Sequence, residues 1–367
     1  MARILTVIGT RPQYIKYAAI AAAGSLPWEE ILVDTGQHYD SALSRVFLEE
    51  YALPRPRHTL EAGDLNGLPR LASLLRQLDP LVAEHTPDAL LCFGDTDSTL
   101  AAAIAAVQHG VPVLHVEAGE RSRDRDGRRI HPSTAPEEAN RITTDHLSSL
   151  LLCSTAGAAE NLAGEQVQGD VRLCGDILFD LFLQVRDRLP APAQVLRGKA
   201  DDIDPAAPYA LCTVHRAVNT DDTDRLRLLI QTLDSLDIPV LLPLHPRTQA
   251  RMREADIHPT DGALLLLPPL GHRDTLSLLR DARVAITDSG GLTREAFWSG
   301  VPSICLDDAT AWHELCGIGW CTLTGVNPRL IHAALAESAP AIHPDGLFGD
   351  GNAASRVITA ISDFLNR

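Results

Sequence analysis

Short runs of apolar and β-branched residues alternate with longer Ala- and Leu-rich segments along almost the whole chain. Runs such as Ile4–Ile8, Ala89–Phe93 and Val284–Thr287 have the length and composition of buried parallel strands. Segments between such runs, for example Asp97–His109 and Asp222–Leu236, have the length and periodicity of helices. Strands that alternate with helices predict α/β units joined by right-handed crossovers, and therefore doubly wound parallel sheets.

The chain of 367 residues is long enough for two domains of ordinary size. A proline-rich stretch at 187–208 interrupts the alternation of strand and helix signals, and a new series of these signals starts at Tyr209. We place the domain crossing slightly earlier, which predicts an N-terminal domain over 1–172 and a second domain over 173–352. In doubly wound domains, ligands bind at the carboxyl ends of the strands.

The formal net charge of −16 argues against nucleic acid and anionic membranes as partners, because neither offers a counter-charge. No apolar run reaches the roughly 18 residues needed to span a membrane, and the N-terminus is typical of a first strand and not of a signal peptide. The seven cysteines form no C-x-x-C pair, which predicts reduced core residues of a cytoplasmic protein. The histidines lack metal-binding spacing, so no metal site is predicted.

Asp288-Ser289-Gly290-Gly291 stands between a predicted strand and a predicted helix, with Glu295 one turn into the helix. A strand that turns through Ser-Gly-Gly into a helix directs several backbone N–H groups at one spot, and a helix N-terminus favours negative charge. The pattern predicts a phosphate seat, with Glu295 accepting hydrogen bonds from a ribose. A tight turn without a ligand is the alternative interpretation.

Polar residues also follow six other predicted strands. One such cluster is readily explained as a helix cap, a turn or a solvated carboxylate, but six at the same structural position favour a binding site. Asp95 and Glu117 end neighbouring strands, and Glu137 opens a helix. Carboxylates that crowd together suit one group to act as an acid and another as a base. The other candidates in these clusters are Arg11, Lys16, His38, His215, Arg216 and His245.

Seven motifs occur in one order over nearly the whole chain, and each of them alone is a weak signal. They are Gly9-Thr10-Arg11-Pro12 with Ile15-Lys16, Thr35-Gly36-Gln37-His38, Gly94-Asp95-Thr96, His115-Val116-Glu117-Ala118-Gly119, Pro136-Glu137-Glu138, Thr213 with His215-Arg216, and Asp288-Ser289-Gly290-Gly291. Together they resemble the non-hydrolysing UDP-N-acetylglucosamine 2-epimerases and their relatives.

The resemblance implies a GT-B architecture, in which two Rossmann-like doubly wound domains face a central cleft that holds the nucleotide sugar. It also implies that a C-terminal helix over 353–367 packs back on the N-terminal domain, and that the protein is a homodimer. The family's reaction needs no external redox cofactor.

In that family a base removes the C2 proton while UDP leaves C1, giving a 2-acetamidoglucal. UDP then re-adds as a proton arrives on the other face. By resemblance, Asp95, Glu117 and Glu137 are the proton-handling carboxylates, and His215 is a further acid–base or diphosphate partner. The nucleotide-binding positions implied by the resemblance are Arg11, Lys16, Ser289, Gly290, Gly291 and Glu295, to which the strand-end clusters add His38, Arg216 and His245.

The chain departs from the family pattern after Cys305, where an arginine-containing segment is usual and this chain has Asp307 and Trp312. A carboxylate that replaces a cation near a diphosphate is expected to weaken binding, by about 1 kcal/mol or more in a desolvated site. The loop 121–135 carries several arginines, which either replace the lost cations or lie in solvent, and we favour solvent. Gln13 and Trp312 are similar to a branch that acts on UDP-2,3-diacetamido-2,3-dideoxy-glucuronic acid.

Three alternatives to an epimerase stay open. They are a hydrolysing relative that releases UDP and N-acetylmannosamine, a GT-B glycosyltransferase, and a nucleotide-sugar sensor without catalysis. The joint presence of Asp95, Glu117, Glu137 and His215 disfavours the last two, because neither needs an acid–base set.

Overall fold

The computed structural model describes residues 1–37, 51–62, 65–200, 203–204, 206–260 and 262–367. Residue contacts divide the chain into two compact units. Unit 1 comprises Met1–Arg121, Ile130–Leu183 and Asp345–Arg367, and unit 2 comprises Ser122–Arg129 and Gln184–Pro344. The domain bounds predicted from the sequence stay a prediction, because compact units defined by contacts need not coincide with functional domains.

The secondary structure alternates between strands and helices. In chain order the strands are β1 (Arg3–Ile8), β2 (Glu29–Asp34), β3 (His58–Thr59), β4 (Ala89–Phe93), β5 (Val113–Val116), β6 (Arg123–Asp124), β7 (Leu150–Cys153), β8 (Asp170–Leu173), β9 (Ala210–Thr213), β10 (Val240–Pro243), β11 (Leu264–Leu267), β12 (Val284–Thr287), β13 (Ser303–Cys305), β14 (Ala309–Thr310) and β15 (Cys321–Leu323). The α-helices of the described residues are α1 (Arg11–Ala22), α2 (Gly67–His85), α3 (Asp97–Gln108), α4 (Pro136–Leu147), α5 (Ala156–Gly164), α6 (Ile177–Val185), α7 (Pro192–Leu196), α8 (Ala217–Thr220), α9 (Thr223–Asp234), α10 (Pro246–Glu254), α11 (His272–Arg280), α12 (Gly290–Trp298), α13 (His313–Gly317), α14 (Pro328–Ala336) and α15 (Ala353–Leu365). Short 3-10 turns span Pro132–Thr134 and Arg186–Arg188.

Unit 1 is built on a seven-stranded parallel sheet with the order β3-β2-β1-β4-β5-β7-β8. All five residues of β4 (Ala-Leu-Leu-Cys-Phe) are buried, as expected for a strand covered on both faces. The strand order reverses between β1 and β4, which is the topological switch point of a doubly wound sheet. The segments that follow β1, β4 and β5 therefore lie at the edge of the sheet where such folds bind ligands.

Unit 2 repeats this plan in a six-stranded parallel sheet with the order β11-β10-β9-β12-β13-β15. Its switch point lies between β9 and β12, so the turn at His215 and the turn at Ser289 are neighbours. A separate antiparallel ribbon pairs β14 with β6. The residues of β6 precede α4 in the sequence, and the pairing explains why they belong to unit 2.

The final helix, α15, belongs to unit 1 and contacts α1. Its N-terminus is capped by the buried carboxylate of Asp180, which accepts hydrogen bonds from the backbone N–H groups of Ala353 (3.0 Å) and Ala354 (2.7 Å). Val357 and Ile361 lie on the same face of the helix and are buried. The last helix of the sequence, α15, thus completes the core of unit 1, which contains the N-terminus.

The expectation that the arginines of the loop 121–135 lie in solvent is wrong for Arg121. The residue is only 2% exposed, because its guanidinium group is enclosed between two carboxylates, those of Asp145 and Glu165. Arg125, Arg128 and Arg129 are exposed.

The seven cysteines are free thiols, and all except Cys316 are buried. Burial raises the pKa of Cys92 and of Cys212. Within the described ranges, no helix has both the length and the apolar composition that crossing a membrane requires.

Candidate active site

Asp95 lies in the turn after β4 and is held by helix α4. The Arg141 guanidinium contacts the Asp95 carboxylate, and the Asn140 amide donates to the Asp95 backbone oxygen at 3.1 Å. Arg141 also donates to Glu138 at 2.6 Å. Burial acts to lower the pKa of Arg141, but Asp95 and Glu138 raise it, so the guanidinium remains a cation. A fixed positive charge therefore lies beside this carboxylate.

Glu117 follows β5 in an unusual backbone conformation, with φ at +67°. Its carboxylate forms an ion pair with Lys16 of α1, and the two side chains are 13% and 8% exposed. A Cβ atom at Gly94 would lie 3.0 Å from Lys16 Nζ and 3.2 Å from Glu117 Oε2. Glycine at position 94 thus leaves room for the pair, and it brings the turn that carries Asp95 against Glu117.

The remaining candidates of unit 1 are more peripheral or not described. Glu137 is exposed in the first turn of α4, whereas its neighbour Glu138 is buried. Arg11 is the first residue of α1 and is partly exposed. His38 lies outside the described residues. The structure thus brings Lys16, Asp95 and Glu117 together, and it leaves Glu137 accessible at a helix N-terminus.

Gln13, which the sequence marks as similar to one branch of the family, is fully buried in unit 1. Its side-chain nitrogen donates to Phe93 O (2.9 Å), Thr96 Oγ1 (3.0 Å) and Thr99 Oγ1 (3.0 Å). Its side-chain oxygen accepts from the backbone N–H of Thr10 at 3.1 Å. Gln13 therefore ties the turn after β4 to the start of α1.

In unit 2, Asp288 anchors the turn that follows β9. Its buried carboxylate accepts from the backbone N–H groups of His215 (3.0 Å) and Arg216 (2.9 Å) and from the Asn219 amide (3.2 Å). Asp288 is therefore a structural anchor of the predicted phosphate seat.

The orientation of His215 follows from the same carboxylate. Its Nδ1 lies 3.2 Å from Asp288 Oδ1, and its side chain is 38% exposed. A hydrogen on Nδ1 that faces the carboxylate leaves Nε2 as the acceptor of the neutral ring. The ring of His245 lies 5.5 Å from that of His215, so the two candidates are neighbours.

The predicted phosphate seat has the expected local geometry. Ser289 is the N-cap of α12, and its Oγ accepts from the backbone N–H of Leu292 at 3.3 Å. Gly290 and Gly291 form the first turn, where N–H groups have no partner within the helix. These groups and the helix dipole favour an anion.

Trp312 packs beside this helix start. A Cβ atom at Gly290 would lie 2.9 Å from Trp312 Nε1, so glycine is needed at position 290 to accommodate the indole. On its other side, the buried guanidinium of Arg294 lies 3.9 Å from the centroid of the Trp312 ring. From the sequence, Trp312 was recognised as a departure from the usual family pattern and as similar to one branch of the family, whereas Arg294 was not recognised.

Glu295 and Asp307 both have charged or titratable partners inside unit 2. Glu295 Oε1 lies 2.6 Å from His272 Nε2, and both side chains are buried. Asp307 contacts the guanidinium of Arg216 and accepts from the Asn219 amide at 3.2 Å. Burial raises the pKa of Asp307, and the nearby Asp288 raises it further, while Arg216 acts in the opposite direction.

The family was then established by comparison. The family model described as UDP-N-acetylglucosamine 2-epimerase matches residues 22–362. The chain belongs to this epimerase family. A similar relative is the UDP-2,3-diacetamido-2,3-dideoxy-D-glucuronate 2-epimerase of Pseudomonas aeruginosa, which is 34% identical over 97% of this chain and 98% of the relative. A UDP-N-acetylglucosamine 2-epimerase homolog of Methanococcus maripaludis is 32% identical over 98% of this chain and 99% of its own length.

Solved structures agree with this assignment. The Methanocaldococcus jannaschii UDP-GlcNAc 2-epimerase, crystallised with UDP-GlcNAc and UDP, is 28% identical, with a TM-score of 0.86 over 98% of this chain and 99% of that chain. Such neighbours and the two parallel sheets confirm the GT-B fold class predicted for this epimerase-family chain. The family consists of isomerases, so the chain is an enzyme of that class, as predicted.

Proposed function

We propose that this epimerase-family protein inverts C2 of a UDP-linked 2-acetamido sugar by elimination and re-addition of UDP through a 2-acetamidoglucal. Asp95, Glu117 and Glu137 handle the protons at C2, and His215 assists as an acid–base group or a diphosphate partner. Inversion needs proton transfer on both faces of the same carbon, so more than one proton-handling group is required.

The observation that carries the proposal is the placement of two carboxylates at the ends of adjacent strands in a chain of this family. Asp95 and Glu117 follow β4 and β5, and each contacts a cation, Arg141 in one case and Lys16 in the other. Two carboxylates at adjacent strand ends supply the more than one proton-handling group that inversion requires.

For the nucleotide, we propose that the first turn of α12 holds the diphosphate. Backbone N–H groups of this kind stabilise the negative charge that develops on a departing diphosphate. The residues proposed to bind the substrate are Arg11, Lys16, His38, Arg216, His245, Ser289, Gly290, Gly291 and Glu295.

UDP-N-acetylglucosamine is the first substrate to test, and UDP-2,3-diacetamido-2,3-dideoxy-D-glucuronate is the second. The second is favoured by the 34% identity to the Pseudomonas aeruginosa enzyme named for that substrate. We also propose that the protein works as a homodimer in the cytoplasm, and that the sequence-based domain bounds divide the proton-handling part of the chain from the UDP-binding part.

The test is NMR spectroscopy of each nucleotide sugar with the enzyme in D2O. Deuterium at C2 and an inverted product without net UDP release are expected for one of the two sugars. Free UDP that accumulates in step with the free mannosamine-type sugar would instead indicate hydrolysis. No exchange with any 2-acetamido nucleotide sugar would contradict the proposal and leave sugar transfer or sensing.

A further inference from the structure

Three buried side chains of unit 1 and the partly exposed Glu165 form a continuous series of hydrogen bonds beneath Asp95 and Glu117. We call His115, Asp145, Arg121 and Glu165 the buried charge chain. Asp145 lies 2.8 Å from His115 and 2.7 Å from Arg121, and Arg121 donates to both Glu165 oxygens at 2.8 and 2.6 Å. The side chains of His115, Asp145 and Arg121 are completely shielded from solvent. None of the four is among the residues proposed to touch the substrate.

His115 joins the buried charge chain to the turn that carries Asp95. Its Nδ1 faces Asp145 Oδ1 at 2.8 Å, and its Nε2 faces the backbone oxygen of Gly94 at 2.7 Å. Because a backbone carbonyl oxygen can only accept, Nε2 carries a hydrogen and donates it to the Gly94 oxygen. The ring therefore fixes the carbonyl group that immediately precedes Asp95.

Asp145 also holds the segment that carries Glu117, and it does so at both ends. One end is the His115 side chain, and the other is the backbone N–H of Gly119, which donates to Asp145 Oδ2 at 3.1 Å. Between them, Glu117 adopts a left-handed conformation with φ at +67°. That conformation is unfavourable for a residue with a side chain, and it persists only where the surroundings impose it.

Helix α4 links the two carboxylates. Arg141, which contacts Asp95, and Asp145 are four residues apart, so they lie on the same face of one helix. Burial acts to raise the pKa of Asp145, but the hydrogen bond with His115 and the Arg121 cation lower it. One rigid element thus presents a buried anion to the Glu117 segment and a buried cation to Asp95.

We propose that Asp145 and His115 are positioning residues of the epimerase, which hold the Asp95 turn and the strained Glu117 turn in the geometry that proton transfer at C2 requires. The inference rests on the proposed function. A solely structural role is the competing explanation, so the test compares variants that lose similar buried contacts.

The decisive variant is Asp145→Asn. Asp145 accepts from His115, Gly119 and Arg121, and an asparagine amide would place its own donor against at least one of them. Misplacement of a reacting group by about 1 Å costs on the order of 100-fold, so we expect kcat for C2 exchange to fall by about 10- to 100-fold. KM and the Kd for UDP, which report on binding, should stay within about threefold of the wild type.

Asp180→Asn is the matched control. Asp180 is also a buried carboxylate of unit 1, and it accepts two backbone hydrogen bonds, but its partners belong to α15. We expect this variant to lower the thermal unfolding midpoint and to keep the wild-type kcat. An equal change of kcat in the two variants, or an unchanged kcat in Asp145→Asn, would overturn the proposal.

Two further measurements apply if Asp145→Asn does not fold. The first is 15N NMR of the wild-type His115 ring, for which we expect a hydrogen on Nε2, and a bare Nε2 would refute the contact with the Gly94 oxygen. The second compares His115→Gln, which keeps a donor that can reach the Gly94 oxygen, with His115→Ala. We expect the glutamine variant to retain more of kcat, and equal values in both variants would count against positioning. A wild-type enzyme without any C2 exchange would refute the proposed function instead, whatever the result of ring NMR.

Discussion

At the scale of single residues, the proposed chemistry depends on two carboxylates, Asp95 and Glu117, that each contact a cation. We predict that Asp95→Asn lowers the rate of C2 deuterium exchange by about 100-fold or more, the loss expected when a general acid–base group is removed. The neutral amide keeps the size of the side chain and can still contact Arg141. Exchange at the wild-type rate in this variant would remove Asp95 from the mechanism.

A second residue-scale prediction concerns Asp307, which forms an ion pair with Arg216. Asp307→Asn removes a buried negative charge beside the phosphate seat and frees the guanidinium for a diphosphate. We expect the affinity for the UDP-sugar, measured by calorimetry at pH 7.5, to rise by about fivefold, which is about 1 kcal/mol.

The same residue predicts a pH dependence with a definite sign. Burial raises the pKa of Asp307, so protonation becomes easier as the pH falls and the opposing charge disappears. The wild type should therefore bind the UDP-sugar more tightly as the pH is lowered from 7.5 towards 5. Asp307→Asn should lack this part of the dependence, while any contribution from His215 remains in both proteins. Parallel pH profiles for the two proteins would contradict the prediction.

Local sequence signals were sufficient to predict the structural setting of some of these residues, but they were insufficient for others. Ser289, Gly290 and Gly291 were predictable because a cap and a helix N-terminus depend on adjacent residues alone. The contact of Arg141 with Asp95 was not, because it joins residues far apart in the sequence. For the same reason the acidic residue at 307 could be recognised as unusual, but its pairing with Arg216 could not be predicted.

At the scale of elements, the last helix illustrates how much of unit 1 depends on its final residues. Ile361 of α15 is completely buried. We predict that Ile361→Ala lowers the free energy of unfolding by about 2–4 kcal/mol, the range for large-to-small changes in a core. Thr359→Ala, on the exposed face of the same helix, should change it by less than about 0.5 kcal/mol. Urea unfolding followed by circular dichroism would reveal the difference, and similar values for both variants would contradict it.

Element boundaries show where sequence patterns reach their limit. Helix α9 covers Thr223–Asp234 within the predicted segment 222–236, and β4 coincides with the predicted run Ala89–Phe93, because long or wholly apolar patterns are distinctive. The two-residue strands β3, β6 and β14 were not predicted. They are too short to show a hydrophobic periodicity, and they are strands only because they pair with other strands of the fold. The edge strand β8 contains Asp170 and Arg172, so it also lacks an apolar run.

At the scale of the whole molecule, unit 1 is assembled from three separate stretches of chain. A fragment of residues 1–183 keeps the surface against which α15 packs but lacks α15 itself. We predict that this fragment does not unfold cooperatively, whereas residues 1–183 joined to 345–367 by a short Gly/Ser linker do. A short linker should suffice, because the backbone N–H of Asp176 donates to Phe348 O at 2.9 Å.

Thermal denaturation of the two purified fragments, followed by circular dichroism, is the measurement. The full-length protein serves as the reference for the signal of a folded unit. A cooperative transition at the same midpoint in both fragments would show that the last helix is dispensable for the first unit.

The discontinuity of unit 1 has a consequence for synthesis on the ribosome. Residues 184–344 are translated before the helix that completes the earlier unit, a delay of roughly 10 to 30 s at about 5–20 residues per second. Throughout that interval the nascent N-terminal sheet has an apolar surface that α15 will later cover. Chaperones that shield such surfaces should therefore be most needed until residues 353–365 have left the ribosome, and a truncation before Ala353 should impair folding far more than the number of residues removed suggests.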